Sequence, residues 1–198
     1  MKTLLLVATL ISGPCFAAET ITTDIATIES LEKRPYFKPR PDWVGIPMPH
    51  GPIEKIREEL EKRIGKKLLH QGEAHITVIT PSEMRILSQT IKVNTVEKIV
   101  VKESAMKAKV KVLCLKKITA VLGSKSEESW FISMESDELR EFRNQVWRRF
   151  VANGGIPDDF QWKRWSPHIT LGYTSQDLHD EDRLSKEKTD CTYLLKAP

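Results

Sequence analysis

The sequence predicts an α+β fold in which one strand–helix–strand unit occurs twice. Two short β-branched segments of alternating polarity, residues 74–80 and 167–174, predict strands, and each contains the pattern His-x-Thr. An amphipathic helix is predicted before each strand, and its apolar residues follow the same offsets in both copies. These residues are Ile53, Ile56, Leu60 and Ile64 in the first copy and Leu139, Phe142, Val146 and Phe150 in the second. The matched spacing favours an internal duplication over a chance succession of strands and helices.

An N-terminal region is expected to precede the two units. Lys2, an apolar run from Leu4 to Ile11 and small residues up to Ala17 are typical of a cleaved secretory signal. Residues 1–17 are therefore predicted to be removed, and the protein is predicted to be secreted or periplasmic. The apolar run is too short for a permanent membrane-spanning helix and no second run follows, so no stable membrane anchor is expected. Residues 18–41 are polar and contain several prolines, which predicts an extended arm.

The first unit is expected to occupy roughly residues 42–100 and to contain two strands and two helices. A strand is predicted to begin at Trp43, in a segment rich in β-branched residues. Gly51-Pro52 then places a proline at the first position of a helix, and Gly65 is a typical residue to end it. After the first His-x-Thr strand, Thr80-Pro81 is a typical cap and first residue for a short helix.

The second unit is expected to occupy roughly residues 101–175 and to repeat this order. Apolar residues and lysines alternate within residues 95–122, which predicts one or two amphipathic strands that turn at Gly123. A further strand over residues 129–134 leads to a helix that Ser136 or the next residue caps. The two units are interpreted as the lobes of a single domain, residues 42–198.

Composition and charge set the broad class of protein. The 198 residues are 40% hydrophobic and 29% charged, which is typical of a globular chain. The net charge of +4 falls to +3 without Lys2, which gives only a mild preference for anionic partners. The polar tail, residues 176–198, contains a possible last strand at Cys191–Leu195. Cys191 and Cys114 are able to form a disulfide in an oxidising compartment, although their spacing does not prove it, and no Cys-x-x-Cys predicts a zinc ribbon.

The two His-x-Thr strands carry the candidate chemistry. Because successive side chains of a strand point to opposite faces, His75 and Thr77 share one face, and so do His168, Thr170 and Gly172. Imidazoles titrate near neutral pH, so two of them beside one phosphodiester supply a general base and a general acid. The threonine hydroxyls are able to donate hydrogen bonds to the non-bridging phosphate oxygens, and glycine leaves room for close approach. This set requires no metal and no cofactor.

Other interpretations of these residues remain open. A pair of structural strand histidines is one alternative, and a zinc site is another, although metal sites use three or four ligands. His50 and His70 are expected in loops, and His179 is expected at the surface of the tail. Arg164 and Trp165 are candidate substrate-binding residues that would steady a phosphate and stack a base, but the tryptophan would equally suit the core. Tyr173 is expected in the core by strand parity.

The paired motifs resemble those of the 2H phosphoesterase superfamily, which includes 2′-5′ RNA ligase-like proteins and cyclic nucleotide phosphodiesterases. The resemblance covers roughly residues 42–175 and includes the segments Gly72-Glu73-Ala74-His75 and Ser166-Pro167-His168. It implies a bilobal fold with two pseudo-symmetric antiparallel sheets and flanking helices around a central cleft. It also implies that the catalytic residues are His75, Thr77, His168 and Thr170. A secretory signal departs from the many members that act inside cells.

The function expected from this resemblance is that of a metal-independent phosphodiesterase, a phosphoric diester hydrolase. Its substrates are expected to be RNA ends, 2′,3′-cyclic phosphates, or cyclic or 2′-5′-linked nucleotides, and the protein is expected to be a monomer. Two alternatives remain: an exported nucleotide- or RNA-binding module without turnover, and a 2′-5′ RNA ligase.

Overall fold

The computed structural model describes residues 19–23, 38–40, 42–92, 94–96, 98, 108–178 and 189–197. The strands are β1 (Glu19–Thr22), β2 (Lys38–Arg40), β3 (Trp43–Met48), β4 (Ala74–Ile79), β5 (Lys111–Leu122), β6 (Lys125–Glu135), β7 (His168–Tyr173) and β8 (Cys191–Lys196). The helices with defined bounds are α1 (His50–Ile64), α2 (Pro81–Leu87) and α3 (Asp137–Ala152). The predicted signal, residues 1–17, lies outside the described residues.

The strands form two sheets of unequal size. Five strands are ordered β1-β8-β5-β6-β7, and three strands are ordered β2-β3-β4. This arrangement confirms the predicted α+β fold with two sheets. It differs from two symmetric antiparallel sheets in one respect, because β1 pairs with β8 in parallel. The expected arm and tail thus contribute strands to both sheets: β1 forms an edge of the larger sheet with β8 next to it, and β2 forms an edge of the smaller sheet.

The start of α2, the start of α3 and the end of α1 lie where local sequence signals place them, but α1 begins at His50, two residues before the proline expected at its first position. Gly65 follows α1 in the left-handed region at a φ of 67°, where glycine carries no steric penalty. The Thr80 side chain accepts a hydrogen bond from the backbone of Glu83, whose side chain bonds back to the backbone of Thr80, so α2 starts with a capping box. Ser136 caps α3 through the backbone N–H of Leu139. The caps predicted at Thr80 and Ser136 are confirmed.

A shared apolar core joins the two sheets and the helices. The predicted stripe of α3 is fully buried, and α1 buries its first three stripe residues while Ile64 is half-buried. Both helices contribute to one cluster that also contains Ile76 of the smaller sheet and Ile132 of the larger sheet. Since this core is continuous, each sheet fixes the position of the other.

A disulfide between Cys114 and Cys191 fastens β8 to β5. The Cα atoms lie 5.8 Å apart, and the bond links residues separated by 77 positions. Closing a loop of this length stabilises the folded chain by roughly 4 kcal/mol in the chain-entropy model. Because β1 pairs with β8, the disulfide also secures the parallel edge of the sheet.

Within the described part of the chain, the helices lack the length and apolar content that crossing a bilayer requires.

Candidate active site at the junction of the two sheets

The two His-x-Thr strands meet where the sheets join. β4 is the last strand of the smaller sheet, β7 is the last strand of the larger one, and these two edges pack against each other. In β4 the half-buried His75 and Thr77 alternate with the fully buried Ile76. In β7 the half-buried His168 and Thr170 alternate with buried aliphatic residues in the same way. The structure therefore places the two strands that carry the predicted pairs against each other.

The ring of His168 is held by two contacts. Its Nδ1 lies 2.8 Å from the carbonyl oxygen of Ser166. Because a carbonyl oxygen only accepts hydrogen bonds, Nδ1 carries a proton, and Nε2 is the nitrogen that exchanges protons. The ring also makes a T-shaped contact with Phe131, with the centroids 5.4 Å apart and the planes at 67°. Phe131 is fully buried, so it supports a fixed ring orientation.

His75 lies beside an aromatic and an acidic side chain. The Trp43 ring centroid is 4.9 Å from that of His75, and Glu73 Oε1 is 3.6 Å from His75 Nδ1. A carboxylate at this distance is an ion-pair partner for the positively charged form of the ring. His75 and His168 are therefore placed in different electrostatic surroundings.

Trp43 reaches this position because Gly45, two residues later in the same strand, has no side chain to block the indole. A Cβ atom at Gly45 would lie 1.8 Å from Cζ3 of Trp43, so the indole lies over the backbone of β3 at this residue. The strand register pairs Gly45 with Thr77 and Pro47 with His75. The sequence reasoning used Trp43 only as the start of a strand. The spacing Trp43-x-Gly45 within a strand was the signal that it left unused.

Thr170 is hydrogen-bonded to a residue that the sequence analysis did not identify. Its hydroxyl donates to Asp177 Oδ2 at 3.3 Å, and Ser129 donates to Asp177 Oδ1 at 3.0 Å. The backbone N–H of Leu178 in turn donates to the Ser129 hydroxyl at 2.8 Å. Asp177 therefore places a carboxylate directly beside the candidate catalytic threonine of β7. It lies in the polar tail, and no motif distinguishes it there.

Trp165 occupies the core and is not placed to stack on a substrate. It is only 7% exposed, and its Nε1 donates to the carbonyl oxygen of Thr77 at 3.0 Å. The Arg143 guanidinium carbon lies over this indole, 5.5 Å from the ring centroid. This position corrects the predicted substrate-binding role, since Trp165 instead joins the segment before β7 to β4.

Of the other two predicted substrate-binding residues, Gly172 differs from expectation, whereas the role of Arg164 stays a prediction. A Cβ atom at Gly172 would lie 2.8 Å from both the Cβ of Leu68 and the carbonyl oxygen of Leu69. The absence of a side chain at Gly172 thus allows Leu68 and Leu69 to pack against the strand, and no open space is left there for a ligand. Arg164 is exposed and donates to the Gln161 side chain at 3.2 Å. It remains a surface cation near the start of β7.

Tyr173 is half-buried, which differs from the core position expected by parity. Its backbone exchanges two hydrogen bonds with Leu69, at 2.8 and 2.9 Å, so the Leu68–Leu69 segment is fixed along the end of β7.

A buried ion pair supports β4 from the helix side. Arg143, which is fully buried, donates to the carbonyl oxygen of Val78 at 2.6 Å and to Glu83 Oε1 at 2.6 Å. It links α2 and α3 to β4, the strand that carries His75 and Thr77. A buried charge with several hydrogen-bond partners specifies one arrangement of these elements.

Among the described residues, one group of side chains has the composition of a metal site. It consists of His50, Glu54 and His70, whose ligand atoms all lie within 4.8 Å of one another. His50 is the first residue of α1 and not a loop residue as expected, whereas His70 lies in the loop before β4. His179 lies outside the described residues.

Comparison with known families identifies the domain. Residues 47–179 match the family model described as Swiss Army Knife, 2H phosphoesterase domain. The chain belongs to the 2H phosphoesterase family. The resemblance inferred from the His-x-Thr motifs is thereby confirmed. No curated protein and no solved structure matched the chain.

Membership of the 2H phosphoesterases supports phosphoesterase activity for this chain. The matched region contains both His-x-Thr motifs, and it also contains Asp177. It begins after Trp43 and Gly45, so the indole beside His75 lies outside the part of the 2H phosphoesterase domain that the family model matches.

Proposed function

We propose that the protein is a metal-independent phosphodiesterase that acts on RNA ends, 2′,3′-cyclic phosphates, or cyclic or 2′-5′-linked nucleotides. The observation that carries the proposal is the packing of β4 against β7, each with a half-buried His-x-Thr pair. Family membership supports phosphoester chemistry. The choice of a diester rests on the pair of histidines, because breaking a diester requires a proton to be removed from the nucleophile and another to be supplied to the leaving oxygen.

The surroundings of the two histidines favour one assignment of roles. His168, with its proton held on Nδ1 by Ser166, offers a basic Nε2 and takes the proton of water or of a ribose 2′-hydroxyl. His75, with Glu73 beside it, is suited to carry a positive charge and protonates the departing oxygen. The hydroxyls of Thr77 and Thr170 stabilise the negative charge that develops on the non-bridging oxygens.

Trp43 supports a nucleotide as the substrate. Its half-buried indole lies next to His75, so a phosphate held by that histidine would place a neighbouring base within reach of the ring. An aromatic face binds any base by stacking, which suits substrates of varied sequence.

The test uses the purified chain with a nucleoside 2′,3′-cyclic phosphate and a panel of short oligoribonucleotides, in EDTA. Turnover is expected in the wild type with a bell-shaped pH profile, and a loss of at least about a hundredfold is expected in His75→Ala and in His168→Ala. Thr119→Ala, which removes an exposed hydroxyl from β5, is the control and is expected to retain activity.

Three outcomes would overturn the proposal. Full activity in either histidine variant would exclude the two-histidine mechanism. Nucleotide binding without turnover across the panel would favour a binding module, and joining of RNA ends would favour a ligase.

We further propose that the protein is exported and acts as a monomer. The Cys114–Cys191 disulfide supports export, because such bonds persist mainly in oxidising compartments. The protein recovered from the extracytoplasmic fraction is expected to have its N-terminus directly after Ala17, which N-terminal sequencing measures. Light scattering of that material is expected to give the mass of one chain, and a larger mass would contradict the monomer.

A further inference from the structure

Two histidines with no part in the proposed reaction converge on a glutamate. His50 Nε2 lies 3.7 Å from Glu54 Oε2, and the rings of His50 and His70 have centroids 6.2 Å apart. Ligand atoms from all three residues lie within 4.8 Å of one another. The group is separate in sequence from both His-x-Thr motifs, and its members are exposed or half-buried.

The fold determines this convergence. His50 and Glu54 are four residues apart on α1, so they share one helix face. Met48 pairs with Ala74 where β3 meets β4, which brings the start of α1 close to the loop that carries His70. Leu69 is fixed by its two backbone hydrogen bonds to Tyr173, so the residue before His70 is anchored. The ligand positions therefore come from elements with defined places in the fold.

We propose that His50, Glu54 and His70 bind a divalent cation of the zinc class. Two imidazole nitrogens and one carboxylate oxygen are the donor set that Zn²⁺ and similar borderline ions prefer, with water at the remaining positions. Zinc–ligand bonds of about 2.0–2.1 Å in tetrahedral geometry separate neighbouring ligand atoms by about 3.3 Å. The 3.7 Å between His50 and Glu54 is close to this separation, and small side-chain movements bring the third ligand in.

Two of the ligands already make hydrogen bonds with which the cation would compete. The backbone N–H of Gly72 donates to His70 Nδ1 at 3.1 Å, and Arg57 donates to both oxygens of Glu54. The Gly72 contact is exposed, so water is available to replace either partner. Arg57 also bonds to Glu61 Oε1 at 2.7 Å, so it keeps an anionic partner when Glu54 turns to the cation.

The bound cation would act as a clip between α1 and the loop before β4. That loop leads to His75, five residues after His70. The cation is thus placed to stabilise the approach to the candidate active site without taking part in the reaction. A ligand that binds only the folded chain raises its stability in proportion to the logarithm of the ligand concentration.

Isothermal titration calorimetry with ZnCl₂ tests this proposal on the purified chain, free of any polyhistidine tag and previously treated with chelator. One Zn²⁺ per chain is expected, whereas MgCl₂ is expected to give no binding, because Mg²⁺ prefers oxygen ligands. His50→Ala, Glu54→Gln and His70→Ala are each expected to weaken Zn²⁺ binding by at least about tenfold. Glu58→Gln changes an exposed carboxylate on the same helix and is expected to bind like the wild type.

The melting temperature of every variant is measured with and without Zn²⁺. The wild type is expected to melt at a higher temperature with Zn²⁺, and His50→Ala and His70→Ala are expected to lose that increase while remaining folded. If His75→Ala or His168→Ala abolishes binding and His50→Ala does not, the cation binds at the candidate active site and the proposal is wrong. Unchanged binding in both His50→Ala and His70→Ala would overturn it equally. Neither result depends on whether the chain hydrolyses a phosphodiester.

Discussion

The hydroxyl of Thr170 donates its hydrogen bond to the carboxylate of Asp177 at 3.3 Å. While this bond lasts, the hydroxyl has no hydrogen left to donate to a phosphate oxygen. The negative charge of Asp177 also lies next to the place where the proposed mechanism puts an anionic phosphate. Under the proposed mechanism, Asp177 would therefore oppose substrate binding as long as this hydrogen bond is formed.

Replacing Asp177 with asparagine is predicted to tighten substrate binding. The amide keeps a side chain of the same shape beside Ser129 and Thr170 but removes the charge. Relief of roughly 1 kcal/mol of repulsion corresponds to a fall in KM of about fivefold. Steady-state kinetics with a nucleoside 2′,3′-cyclic phosphate measures this, and Asp158→Asn in an exposed loop serves as the control. A higher KM in Asp177→Asn would instead indicate that the carboxylate orients Thr170 productively.

Trp165→Phe is predicted to lower stability rather than alter base preference. The substitution removes the hydrogen bond from Trp165 Nε1 to the carbonyl oxygen of Thr77, which costs about 1 kcal/mol in the free energy of unfolding. Because this bond ties β4 to the segment before β7, kcat/KM is expected to fall for every substrate by a similar factor. Urea unfolding and kinetics with different bases check both points. If Trp165→Phe left the unfolding midpoint unchanged and altered KM for some bases more than for others, Trp165 would stack on the substrate after all.

Trp43→Ala is predicted to weaken binding of nucleotides but not of simple phosphodiesters. Loss of stacking on one base is worth about 1–3 kcal/mol, so KM for the cyclic nucleotide is expected to rise by about tenfold or more. Gly45→Ala is expected to act in the same direction, since its Cβ would displace the indole. The measurement compares KM for the cyclic nucleotide with KM for bis-p-nitrophenyl phosphate. Equal effects on the two substrates would contradict a stacking role.

Much of this site followed from local sequence patterns. Alternation predicted the buried and half-buried faces of β4 and β7, and the caps at Thr80 and Ser136 followed from short-range hydrogen bonding. These features depend on residues close in the chain, which a sequence displays directly.

The positions of Trp165 and Gly172 differ from those predicted, and both differences depend on contacts with residues distant in the sequence. Trp165 finds its partner Thr77 at a separation of 88 residues, and no local pattern distinguishes a tryptophan in that contact from one at the surface. At Gly172 strand parity failed, because Leu171 is an extra residue between the pairs Phe131–Thr170 and Trp130–Gly172. Such a bulge redirects the residues that follow it.

Acid sensitivity is predicted at Glu61, which secures the segment that packs against Gly172. Its carboxylate accepts hydrogen bonds from Lys67 Nζ at 2.7 Å, from the backbone of Leu68 at 2.9 Å and from Arg57 Nη1 at 2.7 Å. Burial alone would raise the pKa of Glu61, but these bonds outweigh it and hold the pKa below its ordinary value of 4.5. The unfolded chain therefore takes up a proton at higher pH than the folded chain does.

The sign of the pH dependence follows from this difference. The contribution of Glu61 to the free energy of unfolding is fully present above the ordinary pKa and is lost as the pH falls through the lower folded-state pKa. Glu61→Gln is expected to cost roughly 3 kcal/mol at pH 7, because it leaves a buried Arg57 with one anionic partner fewer. The variant is also expected to lose less stability between pH 5 and about pH 3 than the wild type. Urea unfolding across this range, with Glu58→Gln as the control, would contradict the assignment if the wild type and Glu61→Gln declined in parallel.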